Sequence, residues 1–269
     1  MTAIRKYFAL TRAGIIEMLS FRLATLVMIV GNIIYLTVIY FLWKSIFDSS
    51  PTPVVNGMTF ESTIIYLVLA TAIFNFMEMY TVWEMGRAIQ SGKIVLDLVR
   101  PMEYRSYLFW SFTGATIMQF ITTFIPTFIA VEIVTGFKIP LGINIVYFLI
   151  SLTLGVVINY SIDFIVGTIC LYSESIWGIN IMKQVIVLLF SGATIPLAFF
   201  PETLYKIASV LPFKAVYDGP LTILLSGSDV ALETVLPILG LQLLWAVILY
   251  ILSIAFWKIS IRQITVNGG

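Results

Sequence analysis

The sequence predicts an all-α polytopic membrane protein. Six transmembrane helices are joined by an N-terminal interfacial helix, a cytoplasmic helix between spans two and three, and short external helices between spans five and six. Three observations predict this. Residues of the AVILMFWYC set make up 60% of the chain, charged residues only 11%, and mean hydropathy is +1.03. A soluble domain carries about a quarter charged residues. Six apolar runs, 23–43, 62–83, 107–134, 143–172, 179–200 and 236–257, each exceed the ~18 residues that a spanning helix needs. Finally, six spans put both termini on one side, and with the N-terminus inside only Lys44, Lys138, Lys206 and Lys214 of the 15 Lys and Arg fall outside. That imbalance follows the positive-inside rule, so both termini are expected in the cytoplasm and the protein in the cell membrane. All 269 residues read as one transmembrane domain.

The elements follow in order. Within residues 1–22, Ile4, Tyr7, Phe8, Ile15, Met18 and Leu19 share one helical face, with Arg5, Lys6 and Arg12 at its edge. Such a stripe predicts an interfacial helix on the cytoplasmic leaflet. Early basic residues argue against a cleavable signal peptide. The third and fourth runs exceed about 20 residues and must tilt, bend or protrude, with Pro126 and Gly155 as places to bend. In 201–235, Pro201 and Glu202 suit a first helical turn, and Leu204, Ile207, Ala208 and Leu211 form a short apolar face. Asp218-Gly219-Pro220 reads as a turn before an apolar stub, 221–225, and a polar loop, 226–229. These pieces are too short to span and predict re-entrant or surface-lying helices.

The cytoplasmic loop 86–105 concentrates Arg87, Lys93, Arg100 and Arg105 between two spans. Ile94, Val95, Leu98 and Val99 recur at helical spacing until Pro101 ends the pattern. A short amphipathic helix at the membrane surface suits docking into a groove on a soluble partner.

Several functions are excluded. The chain has no histidine and one cysteine, Cys170, so histidine metal sites, His-assisted nucleophiles and internal disulfides drop out. There is no G-x-x-x-x-G-K-[ST] phosphate loop, and no inter-span loop could house a nucleotide-binding domain. No cofactor is therefore expected in this chain, and no hydrolysis of ATP by it alone. The net charge of +1 gives no nucleic-acid footprint, and none is expected as partner.

The run Ile89-Gln90-Ser91-Gly92-Lys93-Ile94, leading into Asp97-Leu98-Val99-Arg100-Pro101, resembles the cytoplasmic loop of ATP-binding-cassette (ABC) permeases of the type-2 exporter family. Ser191-Gly192-Ala193, Ile195-Pro196-Leu197 and Phe199-Phe200-Pro201 resemble that family's end of span five, and Leu211-Pro212-Phe213 its external helices. Val99 stands where the family more often has Leu. The resemblance covers nearly the whole chain. It implies an exporter subunit, and a mostly apolar cavity with few charges between two such halves favours an amphipathic, lipid-like or drug-like cargo. ATP and Mg would be bound by two copies of a separate ABC ATPase subunit, beside a second permease, identical or related. It makes 86–105 a coupling helix, with Ile94, Leu98 and Val99 as knobs in the ATPase groove. Arg87, Lys93, Asp97 and Arg100 would form the polar rim, Asp97–Arg100 as an i,i+3 pair. The same plan serves polysaccharide- or teichoic-acid-type exporters, and a structural or sensory subunit is the alternative from another class.

Four ionisable residues fall in or near the spans: Glu78, Glu84, Asp163 and Lys183. A charge there is costly unless paired or wetted. Glu84 and Lys183 are read as snorkelling to the interface. Asp163 lies too deep for that, and Asn75, Glu78 and Asn159 could share a polar cluster with it, either lining a pathway or pinning helices. Trp43, Trp83 and Trp110 are read as interface anchors.

Overall fold

The structure, a computed structural model, describes residues 3–135, 139–173 and 175–263. The chain begins with α1 (Ala3–Ser20) and α2 (Arg22–Asp48), then a hairpin of β1 (Val54–Val55) and β2 (Met58–Thr59). Next come α3 (Phe60–Met77), α4 (Thr81–Gln90), α5 (Ile94–Leu98) and α6 (Tyr104–Gln119). A π-helical turn (Phe120–Phe124) joins α6 to α7 (Ile125–Thr135), and α8 (Ile143–Ile169) follows. The last part holds α9 (Ile176–Phe190), α10 (Glu202–Val210), α11 (Pro212–Leu225) and α12 (Leu232–Ser260).

Helix α8 is the axis of the bundle, with α12, α11 and α4 packed along it. Its 27 residues extend about 40 Å at 1.5 Å per residue. Leu67, Ile73, Ile158, Leu221 and Ile223 are among the largest side chains sealed in the main core, where α3, α8 and α11 meet. A second cluster, at the end of the bundle carrying α4 and α5, gathers Met79, Met85, Ile94, Leu108, Tyr160 and Phe164. Helix α1 lies against α6, with Tyr7 stacked on Trp110 at 5.5 Å. Two glycines permit that crossing: a Cβ on Gly114 would lie 2.1 Å from the Thr11 carbonyl oxygen, and one on Gly14 2.7 Å from that of Ser111.

Among the described residues, five helices are long and apolar enough to cross a membrane. The expected fifth span, 179–200, is not one of them. Helix α9 has 15 residues, about 22 Å against a ~30 Å hydrocarbon core. It stops at Ser191 because Gly192 turns left-handed (φ 77°) and Pro196 cannot continue the helix. The expected second span, 62–83, is interrupted at Glu78–Tyr80, where α3 gives way to α4.

Two local expectations are also corrected. Asp218-Gly219-Pro220 is not a turn but the middle of α11, whose Val216, Tyr217, Leu221 and Ile223 are buried among α3, α8 and α12. The Tyr66 hydroxyl of α3 donates to Asp218 Oδ1 at 2.8 Å, and Gln242 Nε2 of α12 donates to the Ala215 carbonyl at 2.7 Å. Those bonds seat polar parts of α11 inside the bundle. Helix α8 runs unbroken through Gly155, which admits α11: a Cβ there would sit 3.3 Å from the Val216 carbonyl oxygen. Trp43 is core rather than interface, 5% exposed with its ring 4.7 Å from Phe199. The β-hairpin adds to an otherwise helical chain and turns at Asn56-Gly57, both at positive φ.

Candidate functional site

The break between α3 and α4 leaves backbone groups at the end of a membrane helix without helical partners. Such a break persists only where neighbours satisfy it. Asn159 Nδ2 of α8 donates to the Met77 carbonyl oxygen at 2.8 Å, and Gln184 Nε2 of α9 donates to Glu78 Oε1 at 2.8 Å. Lys183, one residue earlier on α9, donates to Asp163 Oδ1 of α8 at 3.0 Å. Asp163 is fully buried and Lys183 is 9% exposed. Lys183 therefore does not snorkel to the interface as the sequence suggested; it neutralises the carboxylate.

Of the four residues expected to cluster, Glu78, Asn159 and Asp163 face this break, each with a different partner. Asn75 does not. Its Nδ2 donates to Asn32 Oδ1 of α2 at 3.2 Å, across a separate cavity of about 940 Å³ between α2, α3 and the α6–α7 rod. Sequence reasoning missed Gln184 and Asn32, and it placed Lys183 at the membrane edge. The adjacent polar pair Lys183-Gln184 inside an apolar run was the available signal.

The cavity wall includes the π-helical turn. Pro126 has no N–H to give the Thr122 carbonyl, which removes one helical bond where the helix widens. Widening brings Gln119, Thr122 and Thr123 to the same cavity.

Arg105, expected in the cytoplasmic loop, is instead drawn into the bundle and is 8% exposed. Its guanidinium donates to Ser253 Oγ at 3.1 Å and Ser161 Oγ at 2.9 Å, and lies 4.4 Å from the centre of the Tyr250 ring. Each serine gives its own hydrogen to its helix, Ser253 to the Tyr250 carbonyl and Ser161 to that of Val157. Both are thus left as acceptors for the cation. The Tyr160 hydroxyl donates to the Arg105 carbonyl.

In the loop 86–105, α5 is a single turn of 5 residues. Ile94 (2% exposed) and Asp97 (4%) turn inward, so neither is an outward knob nor an outward rim residue. Ile94 joins the second apolar cluster, and Asp97 Oδ1 holds Arg100 at 2.9 Å, the expected i,i+3 pair. The outward apolar surface is Leu96 (71% exposed) and Val99 (78%), flanked by half-buried Val95 and Leu98. Glu84 gathers Arg87 at 3.5 Å and Lys93 at 3.8 Å beside them. Gly86 lets α4 pack on α9, since a Cβ there would meet the Ile176 side chain at 2.7 Å.

The loop thus offers two bare apolar side chains ringed by charge, and the bundle behind it contains a broken helix and an uncharged cavity. No curated protein matches the chain. The family model described as ABC-2 family transporter protein matches residues 33–268, which take in the broken helix, the loop and the cavity's α3, α6 and α7 walls. The chain is a multi-pass membrane protein of the ABC-2 transporter family, a transport permease.

Proposed function

We propose that this permease is the membrane half of an ATP-driven exporter, powered by a separate ABC ATPase subunit that docks on the loop 86–105. The observation that carries the reading is Leu96 and Val99, apolar and largely bare at the apex of a basic loop. Their exposure would be unfavourable in water without a covering partner. Arg87, Lys93 and Arg100 surround them as a polar rim, with Leu98 at the edge of the contact. The loop stands at the cytoplasmic end, both termini are cytoplasmic, and the complex sits in the cell membrane. The fifth run crosses as α9 together with the segment after it, giving six crossings in all, and α10 and α11 re-enter from outside.

Two ATPase copies, each carrying ATP and Mg, act with two membrane halves, the second identical or related. The chain itself hydrolyses nothing and takes no nucleic acid. Closure of the ATPase pair would press on α4 and α5, and through Met85, Ile94 and Tyr104 on α8. The break at Glu78 then serves as the hinge, held on α8 and α9 by Asn159, Asp163, Lys183 and Gln184. The large uncharged cavity favours an amphipathic, lipid-like or drug-like cargo over a bare polysaccharide.

The test is affinity purification of the chain from membranes. A co-purifying subunit with a phosphate loop, ATP hydrolysis by the complex and none by the chain alone is the expected result. Hydrolysis by the chain in the absence of any such subunit would overturn the reading.

A further inference from the structure

The cavity between α2, α3 and the α6–α7 rod has a chemistry narrower than "amphipathic". Its volume, about 940 Å³, is at the upper end of small-molecule sites. None of the residues lining it is acidic or basic. Its polar groups are all neutral, and the amides of Asn32, Asn75 and Gln119 supply N–H donors as well as acceptors. The hydroxyls of Thr25, Thr71 and Thr122 donate to the carbonyls of Phe21, Leu67 and Met118 at 3.2, 2.8 and 2.8 Å. Each has spent its hydrogen on its own helix, so what it can offer a guest is lone pairs. Thr194 Oγ1, which also lines the cavity, is buried with no hydrogen-bond partner.

A wall of neutral donors and acceptors without a cation leaves the charge of a phosphate or carboxylate uncompensated. Without a carboxylate it cannot repay the desolvation of an ammonium either. An uncharged polar end that donates to the threonine oxygens and accepts from the amides fits both conditions. The remaining wall, including Met28, Ile29, Val68 and Leu188, suits an alkyl chain. Along α3 the lining runs from Ile64 to Asn75, about 16 Å at 1.5 Å per residue. That length accommodates a chain and a head end to end.

We propose that this cavity binds a neutral amphipath whose head carries hydroxyl or amide donors, of the monoacylglycerol type, and rejects anionic and cationic lipids of equal chain length. The proposal rests on the transport reading and names the cargo class for it. Discrimination comes from the head, because all such lipids share the tail.

The probe set is a photoreactive 1-acylglycerol, the lysophosphatidate with the same chain, and the corresponding fatty-acid methyl ester. Each is titrated on the full chain in nanodiscs of zwitterionic lipid. The acylglycerol is expected to bind at least about tenfold more tightly than the other two and to cross-link within α3 or 119–131. Thr71→Val with Thr122→Val keeps shape while deleting two acceptors, and should weaken acylglycerol binding about tenfold and leave the methyl ester unchanged. Thr122→Val alone, expected to cost about fivefold, reads the same effect should the double variant fail to insert.

Equal binding of the methyl ester would reduce the cavity to an oily cleft and overturn the proposal, as would preference for the lysophosphatidate. Absence of binding with Asn75→Cys cross-linking between two copies would overturn it too, by making the cavity a permease–permease contact. Retention of the ATPase subunit is scored separately. Binding without any ATPase would leave the site standing and sink the transport reading, and an ATPase without binding would do the reverse.

Discussion

Lys183 Nζ on α9 lies 3.0 Å from Asp163 Oδ1 on α8, with the carboxylate sealed from solvent and the ammonium nearly so. Breaking such a pair is far costlier than replacing it whole, because one removed partner strands the other charge in a medium that cannot solvate it. Asp163→Asn and Lys183→Met should each destabilise the permease by about 3–5 kcal/mol. The double variant should return to within about 1 kcal/mol of the parent. Thermal unfolding of the four proteins in one detergent reads the cycle. A single variant as stable as the parent would mean that the pair is open to water. If the pair also holds the hinge, the double variant should recover its fold while ATP-driven transport stays low.

Arg105 gives a second prediction. It bridges Ser161 of α8 and Ser253 of α12 with two separate nitrogens and lies over the Tyr250 ring. Lysine keeps the charge but has neither the fork nor the flat face. Arg105→Lys should therefore cost about 1.5–3 kcal/mol, the value of one charged hydrogen bond. The same unfolding assay checks it, and an unchanged midpoint would show that charge alone suffices at this position.

The contact between α1 and α6 depends on two glycines. A side chain at Gly114 would collide with the Thr11 backbone, so Gly114→Val should lift α1 from the bundle. Tyr7→Cys with Trp110→Cys, in a Cys170→Ala background, should be bridged by a short bis-thiol reagent in the parent and lose most of that cross-link when Gly114→Val is added. Undiminished cross-linking would show that the crossing does not depend on a bare backbone at Gly114.

Topology follows from the proposed orientation. Single cysteines at Lys93 and Ser228 in the Cys170→Ala background should react with an impermeant thiol reagent from opposite faces of the membrane. Reaction of both from one face would contradict an odd number of crossings between them.

How much of this was legible in the sequence differs from element to element. Runs such as 143–172 and 236–257 were visible because periodicity is irrelevant to a helix that is apolar all round and length decides. Helix α9 was overestimated because apolar residues continue past Gly192 and Pro196, and those stop signals were outweighed by hydropathy. The Asn56-Gly57 hairpin carried a strong local signal that the helical pattern overshadowed. The break at Glu78 had no such sign: neither Gly nor Pro is present, and Asn159 and Gln184 are more than 80 positions away. Likewise, 3.6-residue spacing put Ile94 on an apolar face, but only the tertiary fold decides that Ile94 faces Met85 and Tyr104 while Leu96 and Val99 face out. The charged groups were identified correctly as expensive; which partner offsets each one is a property of packing.

The most direct test of an ATPase-driven permease is the fate of its partner when the exposed apolar pair of α5 is charged. Leu96→Asp with Val99→Asp alters side chains already outside the fold, so insertion and thermal stability should match the parent. Recovery of the ATPase subunit on affinity purification should then fall at least about tenfold, in line with losing a central apolar contact of 2 kcal/mol or more. If the double variant inserts normally and still brings down a full complement of ATPase with undiminished transport, the loop is not where this permease is driven.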